Sequence, residues 1–108
     1  MSEHDSVKLR LGGLLFSWDD KKAIENLKKH NVSFVVASSV FLDSQALIDF
    51  NMEDNKEDRF NIIGTAISGV LFVVFVERVN FKKQNIIRLI SARRATKKEV
   101  KRYVDKFR

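Results

Sequence analysis

The chain has 108 residues, no cysteine, no proline and two histidines, His4 and His30. That length fits a single domain with one modest core, and 44% hydrophobic with 31% charged residues describes a globular chain rather than a disordered one. Without cysteine there are no disulfides, no thiolate catalysis and no cysteine-based zinc site, and two histidines are too few for a histidine-rich metal centre, so we expect neither metal nor cofactor.

The longest apolar run, residues 70–76, is far short of the roughly 20 residues that span a bilayer. The polar, acidic start Met1-Ser-Glu-His-Asp-Ser has none of the character of a signal peptide. A cytoplasmic protein with no membrane association is the expectation. The overall charge of +6 is unevenly placed: residues 1–80 sum to −3 and residues 81–108 to +9. A segment this basic attracts phosphate polymers or acidic proteins. A solvated lysine-rich helix face is the simpler explanation of such a run. Here, however, the run crosses a strand, a turn and a helix, which favours one contiguous patch.

In chain order, residues 1–13 read as a flexible leader closed by Gly12-Gly13, and residues 14–108 as one domain. Residues 19–30 predict a helix capped by Ser17 or Asp19. Ala23, Ile24 and Leu27 fall on its inner side, with Lys22, Asn26 and Lys29 opposite. Asn31 suits a left-handed helix end. Ser33 reads as a second cap, leading a short helix to about Phe41, although Val35, Val36 and Val40 leave a strand possible. Alternation of Ala46, Ile48 and Phe50 predicts a weak strand, followed by an acidic loop over residues 52–58. Residues 60–66, 70–76 and 86–92 then read as three strands joined by turns at Ser68-Gly69 and residues 80–85, an antiparallel meander. Thr96 and Glu99 form a capping box. The helix behind it carries a stripe of Val100, Tyr103, Val104 and Phe107 for packing on the sheet. The fold class expected is α+β, with a small antiparallel sheet of about four or five strands, two N-terminal helices and one C-terminal helix.

No phosphate loop, dinucleotide fingerprint or hydrolase triad occurs. What remains is a set of basic side chains at pointed places. Arg88 lies in an apolar strand between Ile86 and Ile90; it either pairs with an internal carboxylate such as Glu77 or serves a ligand. Arg93 and Arg94 end that strand, Arg59 opens another, and Lys22 and Lys29 share a helix face. RNA cleavage can run on such a set. The ribose 2′-hydroxyl is the nucleophile, so the protein must align atoms, move two protons and offset phosphoryl charge. Arginine suits the last task because its fork holds two phosphate oxygens. His30 has the unperturbed titration range for proton transfer, or it settles the last carbonyls of its helix.

Phe16-Ser-Trp18-Asp19, Lys22, Asn26, Lys29-His30, Val32-Ser33-Phe34, Val40-Phe41, Asp43, Asp58-Arg59, Gly64, and Arg88-Leu-Ile-Ser91-Ala92-Arg93-Arg94-Ala95 with Glu99 and Tyr103 together resemble the BrnT toxin family. The two anchor patterns, W-D-x-x-K-x-x-x-N-x-x-K-H and I-S-A-R-R-A, are specific in combination. Asn31 stands where the family usually has glycine. The resemblance implies a bacterial type II toxin with a RelE-like ribonuclease fold. It also implies an endoribonuclease that arrests translation, and a neighbouring gene for a BrnA-like antitoxin that silences it in a hetero-oligomeric complex. On this reading Arg59, Arg88 and Arg93 contact phosphate and the transition state. Lys22, Lys29 and His30 transfer protons or position RNA, and Glu77 is a base or the partner of Arg88. Arg94, Lys97 and Lys101 contribute to RNA binding. The rival reading is a non-catalytic basic module that docks on nucleic acid or protein.

Overall fold

The structure is a computed structural model that describes residues 6–51 and 58–106. The expected acidic loop therefore lies almost wholly outside the described residues, as does Phe107. Strand β1 (Leu9–Leu11) and strand β2 (Leu14–Ser17) form a hairpin about Gly12 and Gly13, whose φ values of 56° and 80° are those of a two-residue turn with both central residues left-handed. Part of the expected flexible leader is thus a strand, paired Leu9 to Phe16 and Leu11 to Leu14. Helix α1 (Asp20–His30) starts on Asp19, whose carboxylate accepts from the Lys21 and Lys22 N–H groups, and ends on left-handed Asn31 at φ 57°. Helix α2 (Phe34–Ser38), capped by Ser33, runs into a 3-10 turn over Ser39–Leu42.

Strands β4 (Arg59–Ala66), β5 (Gly69–Val79) and β6 (Asn85–Arg94) make the expected three-stranded meander, β3 (Leu47–Asn51), the expected weak strand, adds to it beside β4, and helix α3 (Lys97–Asp105) follows with both halves of the capping box formed. Among the described residues the six strands join in one sheet, in the order β1-β2-β6-β5-β4-β3. The sheet is mixed, not purely antiparallel: β2 runs parallel to β6, with Phe16 beside Ile87 and Ser17 beside Arg88. A parallel pair needs a long crossover, and here nearly the whole chain supplies it. No helix among the described residues is long and apolar enough to cross a membrane.

One face of the sheet carries the core. Phe16, Ile62, Leu71, Val73, Phe75, Leu89 and Ala92 meet Val32, Phe34, Ala37 and Val40 from the helical layer. A chain of ring contacts crosses this face through Phe16, Phe41, Phe75, Phe60 and Phe50, with centroids 5.0–5.6 Å apart. Gly64 lets β4 approach the 3-10 turn; a Cβ there would lie 3.2 Å from both the Val40 Cβ and its carbonyl oxygen.

Helix α1 is rolled away from its apolar stripe. Ile24 and Leu27 are 57% and 48% exposed, while Asn26, expected on the outer face, is 7% exposed. Its amide donates to the Val32 carbonyl at 2.9 Å and the Ala92 carbonyl at 2.8 Å, and its oxygen accepts from the Ala92 N–H at 3.0 Å. The β2–β6 pairing covers only Ile87 and Arg88, so Asn26 takes over as hydrogen-bond partner at Ala92. A buried peptide group left without partners costs about 1–3 kcal/mol; satisfying one outweighs burying two apolar side chains that a shallow groove can half-cover.

The C-terminal helix is held by a second polar hub. The Tyr103 hydroxyl donates to Asp43 Oδ2 and contacts Thr65 Oγ1 at 2.8 Å. The N–H groups of Thr65 and Gln45 donate to the same carboxylate, each at 2.9 Å. The expected plain packing role of Tyr103 therefore includes a buried hydroxyl contact. Burial works against the Asp43 carboxylate, but the Tyr103, Thr65 and Gln45 hydrogen bonds and the nearby Lys106 charge outweigh it and hold its pKa below the ordinary 3.8. Burial, followed by the Asp43 interaction, raises the Tyr103 pKa above its usual 10.0.

Replacing Asn26 with alanine strands both polar groups of Ala92, and the thermal midpoint should fall on the order of 10–20 °C, a loss of about 2–4 kcal/mol. Calorimetry of the purified variant checks this. The second hub predicts an acid limb. A carboxylate with a depressed native pKa contributes stability fully above its unfolded pKa and loses it as pH falls through the native value. Asp43→Asn should therefore be less stable than wild type by about 1–2 kcal/mol at neutral pH, with the gap closing below about pH 4. Melting curves recorded across that range test it.

Candidate active site

The face of the sheet opposite the core holds the candidate site, and a β-bulge builds it. In β5 and β6, Phe75 pairs with Leu89 but Val74 pairs with Ser91, so Ile90 is an extra residue in β6. In a regular strand residues 88 and 93 would point to opposite faces, because their separation is odd. The extra residue restores them to one face. Arg88, Ser91 and Arg93 all stand away from the core, while Leu89 and Ala92 point into it. Ile86 shares the face of Arg88 as expected; Ile90 takes up the bulge instead.

Three cross-strand rows result. Asn51, Arg59, Val76, Arg88 and Ser17 form the first. Asp49, Asn61, Val74 and Ser91 form the second; Leu47, Ile63, Phe72 and Arg93 form the third. Successive rows are about 7 Å apart along the strands. The second row, Phe72 and Arg93 of the third, Phe50 and Asn51 of β3, and Glu99 and Arg102 of α3 line a groove of about 650 Å³. Arg59, Arg88 and Arg93, the three arginines expected at the site, thus share one face.

Arg93 is held in place. Its guanidinium donates to Glu99 Oε1 at 2.8 Å and Oε2 at 3.0 Å, and lies 4.2 Å from the centre of the Phe72 ring. Glu99 also accepts from the Thr96 N–H at 2.9 Å, so one carboxylate closes the helix cap and fixes the arginine. The Arg93 hydrogen bonds, against burial and with help from Thr96, hold the Glu99 pKa below its usual 4.5. Arg102 pairs with Asp49 across the groove. Arg88 is buried, at 8% exposure, and Arg59 is half-buried.

A smaller cleft of about 230 Å³ adjoins, lined by Lys22, Glu25, Asn26, Lys29, His30, Ile90 and Ser91. Ser91 borders both hollows. Lys22, Lys29 and His30 are therefore brought together as expected, at the rim of the arginine face. Glu77 is not brought there. It is exposed and pairs with Ile87, on the core-bearing side, whereas Arg88 faces Val76. Arg94 is also turned to the other side, opposite Leu71, where it donates to the Ser68 carbonyl of the β4–β5 turn. Lys97 and Lys101 are exposed on α3, and Lys101 pairs with Asp105 at 2.7 Å. Among the described residues no cluster of three or more His, Asp or Glu is placed to hold a metal ion.

Asn61, Phe72, Glu99 and Arg102 were not among the expected site residues. Asn61 had a visible signal, a lone amide inside the apolar run Phe60-Asn-Ile-Ile63. The family model of the ribonuclease toxin BrnT of type II toxin–antitoxin systems matches residues 18–99. The chain belongs to the BrnT family. No curated protein matches it. The BrnT match contains all three arginines and ends on Glu99, the residue that fixes Arg93. As a ribonuclease toxin of a type II pair it has a cognate antitoxin, and the reading as a non-catalytic module is not favoured.

Proposed function

We propose that this BrnT chain is a metal-independent endoribonuclease that cleaves RNA on the arginine face of its sheet and so arrests translation. The observation that supports it best is the bulge at Ile90, which sets Arg88 and Arg93 on the face that also carries Arg59. The ribose 2′-oxygen attacks the adjacent phosphorus and the 5′-oxygen leaves, giving a 2′,3′-cyclic phosphate and a 5′-hydroxyl. One proton must leave the 2′-hydroxyl and one must reach the departing oxygen. His30, with Lys22 and Lys29, lines the cleft next to Ser91 and serves these transfers. The three arginines offset charge that grows on the phosphoryl oxygens. Glu77, on the opposite face, has no part in this site. Lys97 and Lys101 provide diffuse attraction for the polyanion.

The arrangement of helices beside a small sheet is RelE-like in this reading. The cytoplasm is where the chain meets RNA, and a BrnA-like antitoxin from the neighbouring gene silences it in a hetero-oligomer. Expression alone should arrest bacterial growth, and co-expression of the neighbouring gene should relieve it; normal growth with folded, soluble protein counts against the toxin reading. In vitro, cleavage should persist in excess chelator. Arg88→Ala and Arg93→Ala, once shown to melt cooperatively, should cut the rate by about two to three powers of ten with little change in RNA affinity. Folded variants that cleave at the wild-type rate remove both residues from the site.

A further inference from the structure

The floor of the larger groove holds a side chain whose hydrogen-bonding capacity is unfilled. Asn61 is 7% exposed and lines the groove between Asp49 and Val74. Its side-chain amide makes no hydrogen bond to any described residue. The other buried amides behave differently. Asn26 makes three hydrogen bonds, and Asn80 organises its turn by donating to Gln84 Oε1 and accepting from the Lys82 and Gln84 N–H groups. An amide bonded to no described group and set in the lining of a groove is free to pair with whatever enters it, and a binding site is where a ligand supplies the missing bonds.

We propose that Asn61 reads a nucleobase of the RNA substrate, and that the base is adenine. This deepens the ribonuclease reading and rests on it. The position fits: the Asn61 row lies between the row of Arg59 and Arg88 and the row of Arg93, about 7 Å from each. A nucleotide whose phosphate is held by Arg59 and Arg88 therefore lays its base over Asn61 and Val74. The wall beside it is the Arg93 guanidinium backed by Phe72, a surface of the kind on which unpaired bases stack. The chemistry favours one base. An asparagine side chain offers one acceptor beside one donor. Every unpaired base can meet that pair on its Watson–Crick edge, but adenine also meets it on its Hoogsteen edge, with its exocyclic amine next to a ring nitrogen acceptor on both. The volume of about 650 Å³ admits a purine.

The test uses the full chain and four oligoribonucleotides that differ only in the base at each position flanking the mapped cleavage site. Wild type should favour adenine at one flanking position by at least about tenfold, the discrimination expected of one paired amide. Asn61→Ala should bring the four rates at that position to within a few-fold of one another. Asn61→Asp exchanges the donor for a second acceptor, so its preference should move toward guanine, which offers two adjacent donors. If the charged variant does not fold, Asn61→Ser replaces it and should behave as alanine does. A wild-type preference for adenine that survives in the folded variants overturns the proposal, as does a wild type indifferent to base or selective for another. Both outcomes leave the ribonuclease reading standing, because Arg88 and Arg93 would still be required. Failure of the wild type to cleave any of the four overturns both.

Discussion

The site depends on one strand being held in an irregular shape. Strand β6 gains a residue at Ile90, and two positions later Asn26 grips both polar groups of Ala92. A bulge leaves the ladder locally disrupted. The side-chain amide acts as a short piece of neighbouring strand where β2 has already ended. The clamp has two consequences. It fixes the register in which Arg88, Ser91 and Arg93 face away from the core. It also fixes α1 beside β6, so that Lys22, Lys29 and His30 stand at the rim of that face. A helix positioned only by Ile24 and Leu27 would be turned differently and would carry the cations elsewhere.

The ion pairs on the face opposite the core act as positioning devices more than as sources of stability. Exposed pairs contribute little, and Lys101 with Asp105 is of that kind. Arg93 is different because its guanidinium donates two hydrogen bonds to one carboxylate and another to the Arg94 carbonyl, and lies over the face of Phe72. Its guanidinium loses rotamer freedom before any substrate arrives, which lowers the entropy cost of using it. The depressed pKa of Glu99 ensures that the carboxylate stays charged to do this through the neutral range. The same feature makes Glu99 a weak base, so proton transfer belongs to other groups.

Much of this was legible in the sequence, and the failures have specific causes. Both caps on α1, the capping box of α3 and the three long strands follow from local chemistry, and they are where the residues indicated. The β1–β2 hairpin was missed: residues 1–13 read as a flexible leader because three-residue β1 is too short to show periodicity, although the two glycines are themselves a hairpin signal. Parallel pairing of β2 with β6 leaves no local trace, because its partners are about seventy residues apart. The Arg88–Glu77 pairing failed on parity: opposite pairs share a face, and the register puts Glu77 one position out of step with Arg88. Asn26 failed because periodicity counts an amide as polar and places it outside, whereas a buried backbone edge can demand it inside.

A bulge is the hardest of these features to read, and it is the one on which the grouping of the arginines rests. Strict alternation over Arg88-Leu-Ile-Ser-Ala-Arg93 would turn Arg93 into the core and Ala92 out of it, or else Arg88 into the core and Leu89 out of it. Neither outcome is compatible with a packed sheet. The sequence therefore contains a conflict between its apolar positions and its charges, and an inserted residue is the least disruptive way to resolve it. A pair of cations at odd spacing in an apolar strand, with small residues between them, thus argues by itself for a bulge and for a shared face. The same logic extends to Asn61, where an amide sits in an otherwise apolar run and the alternation places it across from Ser91 by way of Val74. Polar residues that interrupt a strand on its ligand-facing side are costly to the fold, and the three here, Asn61, Arg88 and Arg93, all lie on that one side of the sheet.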